Sequence, residues 1–583
     1  MLHETRYEDD FRHTQMIPVN TTFAPIQVLV DEFVRCGMTH AVTCPGSRNA
    51  PIALTLAAQD GLTAVSVLDE RSAGFVALGI AKTTGRPVAI TTTSGTAAAN
   101  LMPAVVEAHE SAVPLVVLTA DRPPELREVG AGQAIDQIKL YGSFAKLFVE
   151  AGNLPAGRDS AVHHRQLGCR AYYTASLGRP GPVHLNFPLR EPLAPRTEDL
   201  DAADWEGRRG GQPWTRASAG PPAASFDLDT APERGLIVCG GDAGDFAAAA
   251  VHLGRALGWP VLAEPTSGAR FGTSSSGETN VVAHYDLLVR SETFAAERPE
   301  LVIRVGQMPT SKPLRAWLSG CRQVIVDSHL DWHDPTRMAG ALLAVAPEAL
   351  EMYADASGEP AAGSGAGSGA WLDRWRAADA IVAEELAATE EPFEPLAYNA
   401  LADTAETVWV SSSLPIRDFE SYFPRTDRRI RILSNRGASG IDGVVSSAAG
   451  ASIAARAPVH LAIGELALLH DVGGLVTARR GGAELAILCV NNGGGGIFDF
   501  LPVAEQADRD PYEQHIATPV DLDLATVAAL GGLEHRVVAD AAGVREHLRP
   551  GTLVEFRIDR ATSLARHREL AARITARLDQ LTE

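Results

Sequence analysis

Lysine is almost missing from this chain of 583 residues: Lys82, Lys139, Lys146 and Lys312 are the only ones among 51 basic residues. Arginine therefore carries nearly all the positive charge, and its planar fork suits carboxylates and phosphates better than a point charge does. With 72 acidic residues the formal charge is −21, which argues against nucleic acid or an anionic membrane surface as a partner. Cysteine is scarce too. Cys36, Cys44, Cys169, Cys239, Cys321 and Cys489 stand apart with no C-x-x-C spacing, most of them in apolar runs, so they read as buried thiols of a reducing compartment. No apolar run is long enough to cross a bilayer, and residues 1–16 are polar and acidic with no hydrophobic centre. No membrane insertion and a cytoplasmic location are expected. A G-x-G-x-x-G fingerprint is also absent: Cys239-Gly240-Gly241-Asp242 lacks the spacing and reads as a plain turn.

What is present is ordinary globular material, 45% hydrophobic and 21% charged, and too long for a single core. Three blocks alternate apolar strands with amphipathic helices. The pattern predicts an α/β protein of three doubly wound parallel-sheet domains, over residues 1–195, 225–355 and 371–583. Between them, Pro192–Ala224 is rich in Pro, Gly, Asp and Arg, and Ser357–Gly369 in Gly, Ser and Ala, which are linker compositions. In the first block the pattern predicts a helix over Gly95–Ser111 between strands Val88–Thr93 and Pro114–Thr119. It also predicts a strand at Val67-Leu68 that ends in Asp69-Glu70 before a Gly/Ala-rich helix. His109 stands alone, and His163-His164 are expected on an exposed helical stretch.

The densest chemistry lies in the third block. Val459–Ile463 and Leu485–Val490 read as buried strands, the first ending in Gly464-Glu465 and the second in Asn491-Asn492-Gly493-Gly494. Ligands of open parallel sheets bind beyond the carboxyl ends of such strands. A carboxylate, an Asn carbonyl and a backbone carbonyl would give a hard cation such as Mg²⁺ part of an octahedron and leave positions for phosphate oxygens and water. The glycines would let the backbone approach that closely. Two ordinary strand-to-helix turns would carry the same residues.

Glu70 taken with the Glu465/Asn492 motif resembles the thiamine diphosphate enzymes. Within that superfamily, Cys44–Pro51 (CPGSRNAP), Thr93–Asn100 (TSGTAAAN), Leu118–Ile135 (LTADRPPELREVGAGQAI), Ser412–Asp418 (SSLPIRD) and Ser434–Gly443 (SNRGASGIDG) are similar to one family. It is the MenD family, the 2-succinyl-5-enolpyruvyl-6-hydroxy-3-cyclohexene-1-carboxylate synthases of menaquinone biosynthesis. The resemblance implies that the first block is a pyrimidine-binding domain and the third a diphosphate-binding domain, with a middle domain of the type that binds no flavin or adenine nucleotide. It implies Glu70 as the catalytic group hydrogen-bonded to the aminopyrimidine N1′ of thiamine diphosphate. Ile441 matches the branched residue wedged beneath the cofactor, and Gly440, Gly464, Ile497 and Phe498 match its surroundings. Asn492 and the carbonyl of Gly494 match two metal ligands. Glu465 matches the third, where the family usually has Asp. One added methylene displaces a carboxylate enough to matter to Mg²⁺, so a retained but altered metal dependence, on Mg²⁺ or Mn²⁺, is expected.

The substrates implied are 2-oxoglutarate and isochorismate, joined by decarboxylation of the first and 1,4-addition of the succinyl carbanion to the second. Arg417 and Arg436, expected at loop starts, resemble with Ser413 the residues that bind the donor's succinyl carboxylate, and Ser47, Arg48, Arg122, Gln133 and Lys312 resemble the acceptor-side group. A homodimer or homotetramer is implied, with each site between the first block of one subunit and the third of its neighbour. Another thiamine diphosphate 2-oxoacid decarboxylase, or an acetohydroxyacid synthase-like carboligase, would share the cofactor motifs but would not need two cation groups. A scaffold paralogue would fail to bind the cofactor.

Overall fold

The computed structural model describes residues 21–152, 154–195, 202–218, 225–228, 231–272, 279–357 and 366–582. The acidic N-terminal segment, parts of the Pro192–Ala224 linker and residues 358–365 of the Gly/Ser/Ala linker lie outside them. Three six-stranded sheets carry the fold, and all their neighbouring strands run parallel. Runs such as Val88–Thr92 and Leu115–Asp121 are buried along their whole length, as strands covered by helices on both faces must be.

In space the first sheet runs Thr63–Ser66, His40–Thr43, Val88–Thr92, Leu115–Asp121, Val183–Pro188, Phe148–Glu150. The third runs Arg431–Ser434, Thr407–Val410, Val459–Gly464, Leu485–Asn491, Thr552–Arg557, Glu534–Val538. Ranked by chain position, both follow 2-1-3-4-6-5, so two blocks with no alignable sequence repeat share one topology. The middle sheet follows 6-5-4-1-2-3, the order of the dinucleotide folds, whose ligands sit where the strand order reverses. Here that crevice is taken up by backbone. Gln307 N donates to Gly241 O at 2.9 Å, and a Cβ on Gly240 would lie 1.5 Å from Gln307 O.

Four local expectations need correction. The strand expected at Val67-Leu68 stops at Ser66, because Asp69 already caps the next helix and Leu68 stands 62% exposed. The helix expected over Gly95–Ser111 is broken into Thr96–Ala99 and Met102–Glu110. Pro103 opens the second piece, where its missing N–H costs nothing. His164 is buried, with Nδ1 2.8 Å from Ser160 O, since it shares the face of helix Arg158–Ser176 that carries Ala161, Leu167 and Gly168. Arg417, expected at the start of a loop, lies inside helix Leu414–Tyr422, which Pro415 helps to start.

The first and third blocks meet through two helices. Glu70–Thr84 begins at Asp69, whose carboxylate accepts from Arg71 N at 2.9 Å, and ends at Gly85, whose φ of 66° favours glycine. It crosses Val444–Ala455 at glycines. A Cβ on Gly79 would lie 2.0 Å from Ser447 O, and one on Gly450 would lie 2.2 Å from Val76 O. Backbone oxygens cannot swing away, so Gly79→Ala must push the helices apart at a cost of about 1–3 kcal/mol. Thermal unfolding of this variant should begin at least ~3 °C below the parent protein, and an unchanged transition would show that the crossing is loose.

Candidate active site

Strands Val459–Gly464 and Leu485–Asn491 pair so that Gly464 stands beside Val490. Their carboxyl ends therefore open onto the same edge. Glu465 begins helix Glu465–His470 and is only 4% exposed. Its Oε1 accepts from Gly494 N at 2.6 Å. Burial pushes its carboxyl up to about 7, and the backbone N–H groups of Gly494 and Asn492 pull against that rise. Beside it, Asn492 Oδ1 is buried with no hydrogen-bond partner among the described residues, a state that costs free energy unless something fills it. Gly494 sits at φ 138°, and a Cβ there would lie 2.7 Å from Ala517 O. A Cβ on Gly496 would lie 2.5 Å from Asn492 Nδ2, so the turn cradles the amide only with glycine at that position.

These donors suit a divalent cation bound through oxygen. A buried carboxylate, an orphaned amide oxygen and a backbone carbonyl with a second lone pair form a set that a hard metal accepts. Among the described residues no three His, Cys, Asp or Glu side chains cluster as metal ligands do, so a cation here would rely on a single carboxylate plus neutral oxygens. Ile497 and Phe498 follow on the short helix Gly496–Phe500, and Phe498 is 37% exposed.

Glu70 lies elsewhere, at the first turn of its helix and partly exposed. Among the described residues no hydrogen bond or ion pair reaches its carboxylate. The buried Cys44 thiol is pushed upward by burial and, after it, by the charges of Glu70 and Asp69. Cys44 begins the turn that bears Ser47 and Arg48. Asn49 folds this turn by donating to Cys44 O at 2.8 Å and accepting from Thr91 Oγ1 at 2.5 Å. Arg48 donates to Leu189 O at 2.5 Å and to Glu191 Oε1 at 3.3 Å, while its Nε is buried with no partner among the described residues.

Arg122 comes close to Arg48, and burial together with the charge of Arg48 pulls it below the usual guanidinium range. It also donates to Ser94 Oγ. Gln133 lies against the turn that follows strand Val88–Thr92, with its backbone carbonyl 3.4 Å from where a Gly95 Cβ would be. Ser47, Arg48, Arg122 and Gln133 thus gather at the carboxyl ends of the first sheet's central strands, with the charge of Arg48 acting on Arg122.

A second cation group joins the middle and third blocks. Arg417 donates to Ser413 O at 2.5 Å, and burial and the charge of Arg436 pull it downward. Arg436 reaches Ser412 Oγ at 3.3 Å and Thr310 Oγ1 at 3.1 Å. Thr310 precedes Ser311, the cap of helix Lys312–Leu318, so exposed Lys312 lies on the adjoining turn. Gly440 and Ile441 continue the loop that bears Arg436. Among the described residues of one chain, no hydrogen bond or ion pair ties Glu70, Arg48 or Arg122 to the Glu465 turn or to Arg417 and Arg436.

The sequence motifs contain Ser94 and Ser412 without marking a role for either, and Thr310 stands two residues before Lys312. Sequence reasoning passed over Glu107, for which a helical Glu offers no signal.

Residues 26–140 match the family described as thiamine pyrophosphate enzyme, N-terminal TPP binding domain. The chain is similar over nearly its full length to proteins named 2-succinyl-5-enolpyruvyl-6-hydroxy-3-cyclohexene-1-carboxylate synthase. The one from Geobacillus kaustophilus (strain HTA426) is 44% identical over 564 residues, 93% of this chain and 96% of the relative. That from Myxococcus xanthus (strain DK1622) is 43% identical over 589 residues, 95% and 97% of the two chains. Halobacterium salinarum (strain ATCC 29341 / DSM 671 / R1) has one 42% identical over 535 residues, 87% and 89%.

Proposed function

The chain belongs to the 2-succinyl-5-enolpyruvyl-6-hydroxy-3-cyclohexene-1-carboxylate synthase family, and from that premise we propose a thiamine diphosphate-dependent transferase that decarboxylates 2-oxoglutarate and adds the succinyl unit to isochorismate, a step of menaquinone biosynthesis. The observation that carries the reading is the pairing of an orphaned, buried Asn492 Oδ1 with the buried Glu465 carboxylate at the ends of adjacent strands.

Glu465, Asn492 and the Gly494 carbonyl would hold Mg²⁺ or Mn²⁺, and through it a diphosphate. Bound thiamine diphosphate supplies the electron sink for decarboxylation. Glu70 would hold a proton at the aminopyrimidine N1′, a task left open by a carboxylate that has no partner among the described residues. Arg417 and Arg436, with Ser413, grip the distal carboxylate of the donor in the bidentate manner arginine permits. Arg48, Arg122 and Lys312, with Ser47 and Gln133, take the carboxylates of the acceptor. Gly440, Ile441, Gly464, Ile497 and Phe498 shape the walls around the cofactor, and Ile441 offers only methyl and methylene groups there.

A homodimer or homotetramer would complete each site, Glu70 of one subunit facing the Glu465 turn of its neighbour. Exposed Leu68 beside Glu70, and exposed Phe498, Phe500 and Leu501 beyond Gly494, support that reading, since apolar side chains clustered at half-sites mark contact surfaces. No helix among the described residues is long and apolar enough to cross a membrane, and six free thiols favour the cytoplasm.

The test follows isochorismate by ultraviolet absorbance with purified protein, thiamine diphosphate and Mg²⁺ or Mn²⁺, with and without 2-oxoglutarate. Consumption that requires 2-oxoglutarate is the expected result. A protein that binds the cofactor but turns over pyruvate alone would overturn the substrate assignment.

A further inference from the structure

Helix Met102–Glu110 ends beside the third block, and Glu107 on its last turn is 2% exposed. A carboxylate so deeply buried is costly unless its oxygens are engaged. Among the described residues no Lys or Arg pairs with it. Three neutral donors do instead: Oε1 accepts from Ser111 Oγ at 2.6 Å and from Gly437 N at 2.8 Å, and Oε2 accepts from Ala438 N at 2.7 Å. Two of these are consecutive backbone N–H groups of the loop between strand Arg431–Ser434 and helix Val444–Ala455.

That loop carries Arg436 immediately before the clamped pair. The clamp requires glycine at 437, because a Cβ there would lie 2.5 Å from Ser111 Oγ and 2.7 Å from Glu107 O. Just before the clamp, the Arg436 guanidinium is shared between Ser412 of the third block and Thr310 of the middle block. The direction in which Arg436 leaves the backbone is therefore set by a carboxylate from the first block.

We propose that Glu107 is a positioning residue, which fixes Arg436 for the second carboxylate of the donor and so sets the preference of the enzyme for dicarboxylic over monocarboxylic 2-oxoacids. This rests on the donor-binding role proposed above for Arg436.

Glu107→Gln keeps the shape but turns one acceptor into an amide N–H that faces another N–H. A buried donor is then left unpaired, and the loop must shift to relieve it. The ratio of kcat/KM for 2-oxoglutarate to that for 2-oxopentanoate, which has the same chain length and no distal carboxylate, should fall about tenfold. The fall should come through the KM for 2-oxoglutarate, with the KM for isochorismate held within about twofold. A merely structural lesion would lower both donors in parallel and leave the ratio alone.

Should Glu107→Gln not fold, Ser111→Ala loosens the same carboxylate and should lower the ratio about threefold. Arg436→Ala is the reference. If it collapses the ratio while the Glu107 and Ser111 variants leave it unchanged, the positioning role is overturned and the donor site stands. If Arg436→Ala itself leaves the ratio unchanged, the donor-site reading falls and the role of Glu107 with it.

Discussion

Glu70→Gln lowers 2-oxoglutarate-dependent consumption of isochorismate by about two to four orders of magnitude in kcat, the range over which a positioned proton-transfer group contributes. The amide has the size of the carboxylate but cannot hold a proton at N1′ in the same exchange. The substitution is structurally mild. Asp69, not Glu70, caps the helix by accepting from Arg71 N. The variant loses only a favourable charge at a helix N-terminus, worth about 0.3–1 kcal/mol. Thermal unfolding should move little, and thiamine diphosphate should still bind, as followed by quenching of tryptophan fluorescence. Retention of kcat within about threefold would remove Glu70 from the chemistry. Loss of cofactor binding in step with activity would instead make it a binding residue.

The strand ends that flank the proposed metal turn were legible because their signals are local. A run that is apolar but for His460 and stops at Gly464-Glu465, and another that stops at Asn491-Asn492, mark a parallel strand and its end within a few residues. Spatial strand order is a different matter. The shared 2-1-3-4-6-5 order of the first and third sheets arises from pairing between segments tens of residues apart, and no short window of sequence records it.

The misread residues fail for the same reason. His164 looked solvated because its neighbours in sequence are polar, yet its helix packs that side against Phe23–Cys36. Glu107 drew no reading at all, because two of its three donors come from a loop over three hundred residues later. The family motifs marked Arg48, Arg122, Arg417 and Arg436 as candidates one by one. That they form two groups, in which Arg48 pulls Arg122 downward and Arg436 pulls Arg417 downward, required the fold.

Glu465 carries the other large effect. Glu465→Ala removes the single carboxylate of the proposed metal set and leaves Gly494 N without its acceptor, so the apparent Kd for thiamine diphosphate in the presence of Mg²⁺ should rise by about two orders of magnitude or more, comparable to loss of a charge-assisted contact with its partner left buried. Glu465→Asp is the sharper experiment. In the parent protein the longer side chain starts from the first turn of helix Glu465–His470 and bends back far enough for Oε1 to lie 2.6 Å from Gly494 N. An Asp starting from the same Cα falls short of that contact by roughly one bond length, and its oxygens approach a cation from a different point.

Mg²⁺ demands near-ideal octahedral geometry at short distances, whereas Mn²⁺ tolerates more. The parent should therefore favour Mn²⁺ relative to the Asp variant, and the Mn²⁺-to-Mg²⁺ ratio of kcat/KM should drop by about fivefold on Glu465→Asp with activity retained. Metal titrations of cofactor binding and of turnover read this directly. An Asp variant with the same metal preference and the same cofactor affinity as the parent would mean that the backbone of the turn already absorbs the extra methylene, and that the departure from Asp at this position is silent.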